Sequence, residues 1–144
     1  MKTIIIFIIA ALSFSAFAQN NSDIILAQNN INDSKEKHTL LTSEFKTIDA
    51  EKLDGIYKLM AEDGALKEVR SFKRGTLDGT WLEYDDKQNL IAVANYKDDL
   101  KHGKWVIWDA KGTKRYELFY KNGKRTGTWK SWNESGELIS KKDY

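Results

Sequence analysis

The sequence predicts an all-β chain, an elongated antiparallel β-meander of tandem β-hairpins, and three observations carry that prediction. Gly55, Gly79, Gly103 and Gly127 recur with a period of 24 residues. Two positions after each glycine stands a large ring (Tyr57, Trp81, Trp105, Trp129), and three positions further a second large apolar residue (Met60, Tyr84, Trp108, Trp132). A closing aromatic then completes each unit at Phe72, Tyr96, Tyr120 and Tyr144. A constant period of this length marks one supersecondary unit repeated along the chain.

In chain order, Met1-Lys2, the apolar run Ile4 to Leu12 and the small residues of Ala16-Phe17-Ala18 have the layout of a signal peptide, so residues 1–18 are expected to be cleaved after Ala18 and the remainder exported. The apolar run falls short of the ~20 residues of a spanning helix, and the absence of cysteine removes the acylation site of a lipoprotein. Residues 19–43 have the composition of a flexible polar linker, with one apolar patch at Ile24 to Leu26. The alternative is that this segment folds back over the sheet, because a bare face of tryptophans would leave a large apolar patch. The repeat domain is expected over 44–144, with a partial repeat at 44–54 and full units starting at Gly55, Gly79, Gly103 and Gly127.

Within a unit, segments such as Trp81 to Tyr84, Ile91 to Tyr96, Trp105 to Trp108 and Tyr116 to Tyr120 are rich in aromatic and β-branched residues that suit a pleated surface. Turns separate them. One recurs at Gly64, Gly112 and Gly136, with Gln88 in the fourth case, and another at Gly75 and Gly123, with Asp99 between. Glycine and asparagine accept the positive φ of tight hairpin turns. No proline occurs, so every backbone amide past the N-terminus is available to a ladder.

Composition narrows the function classes. The formal charge of +2 falls to +1 when Lys2 leaves with the leader, so no long-range field selects nucleic acid. His38 and His102 are the only histidines and lie far apart in the chain, which argues against a metal cluster or a nucleophile–histidine pair. The acids Asp85-Asp86 and Asp98-Asp99 fall on turns, where short carboxylates bond nearby amides. Arg115 and Glu117, two apart on one strand, are expected to share a face as a surface ion pair. No enzyme activity, cofactor or metal is expected.

The candidate binding residues are Trp81, Tyr84, Trp105, Trp108, Trp129 and Trp132. Residues three apart on a strand point to opposite faces unless a bulge intervenes, so both faces are expected to carry rings. Tryptophans of successive units lie two strands apart, with Phe72, Tyr96 and Tyr120 between them, and the result is a continuous aromatic row. These rings read first as a thin core; a ligand platform is the alternative.

Units such as Gly103-Lys104-Trp105-Val106-Ile107-Trp108, Lys111-Gly112, then Tyr120-Lys121-Asn122-Gly123 resemble the bacterial MORN repeat variant, over about Glu44 to Tyr144. The variant is similar to that of YwqK-family antitoxins and of many short exported proteins. The resemblance implies a β-hairpin array used for protein interaction, as a scaffold or as an antitoxin or immunity-like binder, and it brings no catalytic residues. The other expectation is an envelope-surface, glycan or membrane binder that uses the aromatic rows.

Overall fold

The computed structural model describes residues 37–144; the expected leader 1–18 and the linker residues 19–36 lie outside the described residues. The strands are β1 (Lys37–Leu41), β2 (Gly55–Met60), β3 (Leu66–Lys73), β4 (Thr76–Tyr84), β5 (Leu90–Lys97), β6 (Leu100–Lys101), β7 (Gly103–Trp108), β8 (Lys114–Lys121), β9 (Lys124–Arg125), β10 (Thr128–Trp132) and β11 (Leu138–Asp143). They form one sheet in the order β1-β2-β3-β4-β5-β7-β8-β10-β11, with β6 beside β5 and β9 beside β8. From β2 onward every neighbour is antiparallel and in chain order, so the expected meander of four hairpin units is present.

The N-terminal end departs from the expectation in two ways. Residues 37–41, placed in the linker, form β1, which pairs with β2 in parallel and makes the sheet mixed. Residues 44–54 contain no strand and so no partial hairpin. They hold the end of a short helix, α1 (Thr42–Phe45), and a 3-10 turn (Ala50–Lys52). The physical reason is a pair of open surfaces at the first unit. A parallel neighbour needs a crossover of about a dozen residues, and residues 42–54 supply it while carrying Phe45, Ile48 and Leu53 onto Tyr57, Leu59 and Phe72. The Thr42 hydroxyl donates to the Met60 carbonyl at 2.9 Å, and the Glu44 carboxylate accepts from the Leu41 amide at 2.8 Å. The described end of the linker thus extends the sheet as an edge strand, and the side chains laid over the first unit, Phe45, Ile48 and Leu53, come from the segment after it.

Register explains the repeat columns. The repeat glycine lies across from the closing aromatic of its own unit: Gly55 opposite Phe72, Gly79 opposite Tyr96, Gly103 opposite Tyr120. At the C-terminus the Tyr144 amide donates to the Gly127 carbonyl at 3.0 Å. Gly79 shows why the column is glycine: its φ is +107°, and a Cβ there would stand 3.1 Å from the Ser71 Cβ. Bulges recur with the same period, between Leu59 and Met60, Glu83 and Tyr84, Ile107 and Trp108, and Ser131 and Trp132. The extra residue of each sits on the partner strand, so the two ring columns of a strand still point to opposite faces.

One face carries an aliphatic ladder in which Val69, Leu82, Val93 and Val106 pair in succession across β3, β4, β5 and β7. Leu82 and Val106 are each only 1% exposed, although among the described residues no second layer covers them; Leu66, Tyr84, Leu90 and Trp108 close over them from the same face. The opposite face carries Tyr57, Trp81, Trp105 and Trp129.

Candidate functional site

On the ring face the expected row is present from Trp81 onward, whereas Phe72, expected as part of it, packs with Phe45 and Tyr57 instead. Ring centroids are 5.6 Å apart from Trp81 to Tyr96, 5.2 Å to Trp105, 5.4 Å to Tyr120, 5.1 Å to Trp129 and 4.9 Å to Tyr144. These are the tilted separations that aromatic pairs favour. A separate cluster of Phe45, Tyr57 and Phe72 sits under α1, with His38 stacked on Tyr57 at 4.6 Å. The row itself is half-buried, and Tyr144 at its end is 44% exposed.

The indoles are anchored unequally. Trp105 Nε1 donates to the Asn95 carbonyl and Trp129 Nε1 to the Phe119 carbonyl, each at 2.9 Å. Trp81 occupies the same column, yet its buried Nε1 has no acceptor. Cations lie against the rings instead of another layer: Arg70 over Trp81 at 4.6 Å, Lys101 over Trp105 at 4.7 Å, and Arg125 over Trp129 at 4.6 Å. Arg70 also reaches the Phe45 ring at 5.3 Å and so bridges the covered cluster and the open row. At the far end Arg125 hydrogen-bonds the Tyr144 hydroxyl at 3.0 Å. Burial would raise the Tyr144 phenol, but Arg125 and Lys142 outweigh it and hold its pKa below the usual value. Burial raises the pKa of Tyr96, in mid-row.

The candidates thus divide by face. Trp81, Trp105 and Trp129 belong to the open row. Tyr84, Trp108 and Trp132 lie on the aliphatic face, where Trp108 is 4% exposed and part of the core. Of the six, Trp108 alone is buried; Tyr84 packs against the core from the same face, and Trp81, Trp105, Trp129 and Trp132 are half-buried.

Beyond Val106 the aliphatic ladder continues as Glu117 and Lys130. The Glu117 carboxylate, 12% exposed, has Lys104 at 3.1 Å and Lys114 and Lys130 at 3.4 Å. Its expected partner Arg115 is the extra residue of a bulge and turns elsewhere, to the Trp132 carbonyl at 2.9 Å and to Asp109 at 3.4 Å. A two-residue spacing places side chains on one face only where the ladder is unbroken.

Between Trp81 and Trp105 the ring face opens into a cavity of about 160 Å³. Its floor is Ala92 and Ala94, and Glu83 and Ile107 flank it beyond the indoles. Among the described residues no group of three or more His, Asp or Glu side chains could hold a metal ion. The Asp85 carboxylate accepts from the amides of Lys87 at 2.9 Å and Asn89 at 2.8 Å, the turn role expected of it. No helix among the described residues is long and apolar enough to cross a membrane.

Residues 101–122 and 125–144 match the MORN repeat variant. The match covers the third and fourth units, and the glycine, ring and bulge positions of those MORN repeats recur at the same spacing in the two units before them. No curated protein and no solved structure matches the chain.

The sequence reading missed the cations over the rings, the alanine floor and the stack of His38 on Tyr57. Arg70 and Ala94 were legible as one signal, because they fall 24 residues apart in one column. Such a column exposes its meaning only when the register shows which rings flank it.

Proposed function

We propose that the chain is an exported, non-catalytic MORN-repeat module that binds another protein through its ring face, as a scaffold or in an immunity-like role outside the membrane. The observation that supports this reading is the half-buried row from Trp81 to Tyr144, which nothing else among the described residues overlies except the cations of its own strands. Its rings are ordered by contact with one another and by the indole bonds of Trp105 and Trp129, yet they keep part of their surface in solvent. A rigid row of amphipathic rings loses little conformational freedom on binding, which is why aromatic side chains dominate the energetic centres of interfaces. Capture from envelope extract is expected to disappear when Trp105 and Trp129 are both changed to alanine, provided far-UV circular dichroism shows the sheet intact. Unchanged capture would count against the module. Export predicts a mature N-terminus at Gln19, read by N-terminal sequencing.

A second reading has its own support. Lys101, Arg125 and Lys142 each lie against rings of the C-terminal half, a mixture of cations and flat aromatics suited to an anionic envelope surface or to stacking on sugars. Tryptophan fluorescence titrated with cell-wall fragments and with anionic vesicles tests it; no response to either removes it.

A further inference from the structure

The cavity between Trp81 and Trp105 has a chemistry that the rest of the row lacks. Across β4, β5 and β7 the register sets Glu83, Ala92 and Ile107 in one transverse line, and Trp81, Ala94 and Trp105 in the next, with Tyr96 closing one end. In the other units the two alanine positions hold long or polar side chains: Glu68 and Arg70 in the first, Tyr116 and Leu118 in the third, Ser140 and Lys142 in the fourth. In the second unit the space between the flanking tryptophans is left unfilled, whereas Leu118 stands in the corresponding place between Trp105 and Trp129.

The first unit shows what such a space accepts. Arg70 extends its guanidinium over Trp81 at 4.6 Å and pairs with Glu68 at 2.7 Å. Trp81 thus receives a cation from the β3 side, while its β5 side borders the cavity. Glu83 pairs directly across from Glu68. Arg70 balances one of these two carboxylates, and Glu83 has no ion pair or hydrogen bond of its side chain among the described residues. Like charges directly opposite on a sheet repel, so a second cation at Glu83 would relieve the pair. Lys101 does not serve, since it lies over Trp105 and Tyr120.

We infer that this notch receives one arginine side chain of the protein partner, its guanidinium stacked on the Trp81 and Trp105 indoles and paired with Glu83. A planar, weakly hydrated guanidinium suits stacking on rings together with a carboxylate better than an ammonium does. At about 160 Å³ the notch is smaller than the roughly 300–1,000 Å³ of a small-molecule site, which matches a single side chain. The inference rests on the protein-binding reading and specifies which residue type that partner presents.

The test uses the mature chain and three capped tripeptides, Gly-Arg-Gly, Gly-citrulline-Gly and Gly-Lys-Gly, with the indole N–H resonances of the five tryptophans followed by NMR. The arginine peptide is expected to shift Trp81 and Trp105 saturably while Trp108 and Trp132, on the other face, stay still. Citrulline, which keeps the shape and loses the charge, should bind about fivefold more weakly or worse. Glu83→Gln should weaken arginine by several-fold, and Ala94→Leu, which installs the side chain that Leu118 provides in the next unit, should abolish it. Melting curves establish that both variants fold. Absence of a saturable shift, equal response to citrulline, or binding that survives Ala94→Leu overturns the inference. Those results leave the module reading to the Trp105 and Trp129 capture experiment, so the two can fail separately.

Discussion

Trp81, Trp105 and Trp129 occupy one column and differ in how their indole N–H is met. Trp105 and Trp129 each hold a backbone carbonyl, whereas Trp81 buries its donor without an acceptor. A neutral hydrogen bond contributes about 1 kcal/mol, and a buried unsatisfied donor costs about 1–3 kcal/mol. Trp81→Phe is therefore expected to destabilise by at least about 1 kcal/mol less than Trp105→Phe, read from urea unfolding midpoints. Glu117 is the second residue whose surroundings decide its behaviour. Burial alone would raise its carboxyl, but the hydrogen bond and charge of Lys104, with Lys114 and Lys130, outweigh it and hold the pKa below the usual 4.5. Because the folded value lies below the unfolded one, the ionised group stabilises the native state above about pH 4.5, and that contribution is lost as pH falls through the folded value. Glu117→Gln should cost about 1–2 kcal/mol at neutral pH, with the gap from wild type narrowing in acid. Thermal melts across that pH range check it.

The hairpin units use two kinds of turn with different chemistry. In the first, Asp85, Asp109 and Asn133 accept amide hydrogens within the loop, so a side chain does work that glycine alone cannot. In the second, the amides of Gly75, Asp99 and Gly123 donate to the carbonyls of Leu53, Leu77 and Lys101, which staples the turn to the residue two before its own unit's first glycine. Asp99 manages this at φ +62° and spends its carboxylate on the Leu77 amide at 2.7 Å. The glycines of this column are nevertheless not equivalent. A Cβ at Gly123 would lie 3.7 Å from the Leu100 side chain, whereas at Gly75 it would lie 2.9 Å from the Ala50 carbonyl oxygen, because the 3-10 turn packs there. Gly123→Asp should cost about 1 kcal/mol or less, and Gly75→Asp about 2 kcal/mol or more, by denaturant titration. The column was visible in the sequence; the 3-10 turn that separates its members was not, since residues 44–54 were read as a partial hairpin. Phe45 and Ile48, three apart, were the local sign of a helical turn.

Across the whole molecule burial is graded along the array. The ladder from Val69 to Val106 is apolar, then passes to Glu117, Lys130 and Lys141, while every residue of β11 is exposed. Repeat arrays in which each unit touches only its neighbours have stability that follows the local interfaces. Leu82→Ala, at a site 1% exposed, should cost about 2–4 kcal/mol. Ile139→Ala, at a site 63% exposed, should change stability by no more than about 0.5 kcal/mol. Amide exchange should be slowest in β4 and β5 and fastest in β11, and uniform protection across the sheet would contradict the gradient.

The meander, its 24-residue unit, its turn positions and the row of alternating tryptophan and tyrosine were all determined by local order along the chain: a strand points its side chains alternately, and equal units pair in equal register. Tertiary structure decided what depends on residues brought from elsewhere. The parallel strand β1 and its crossover cover Tyr57 and Phe72, bulges turn Arg115 away from Glu117, and β5 sets two alanines between two tryptophans. Periodicity specifies which residues are equivalent, but the space beside each one depends on the side chains that neighbouring strands place there.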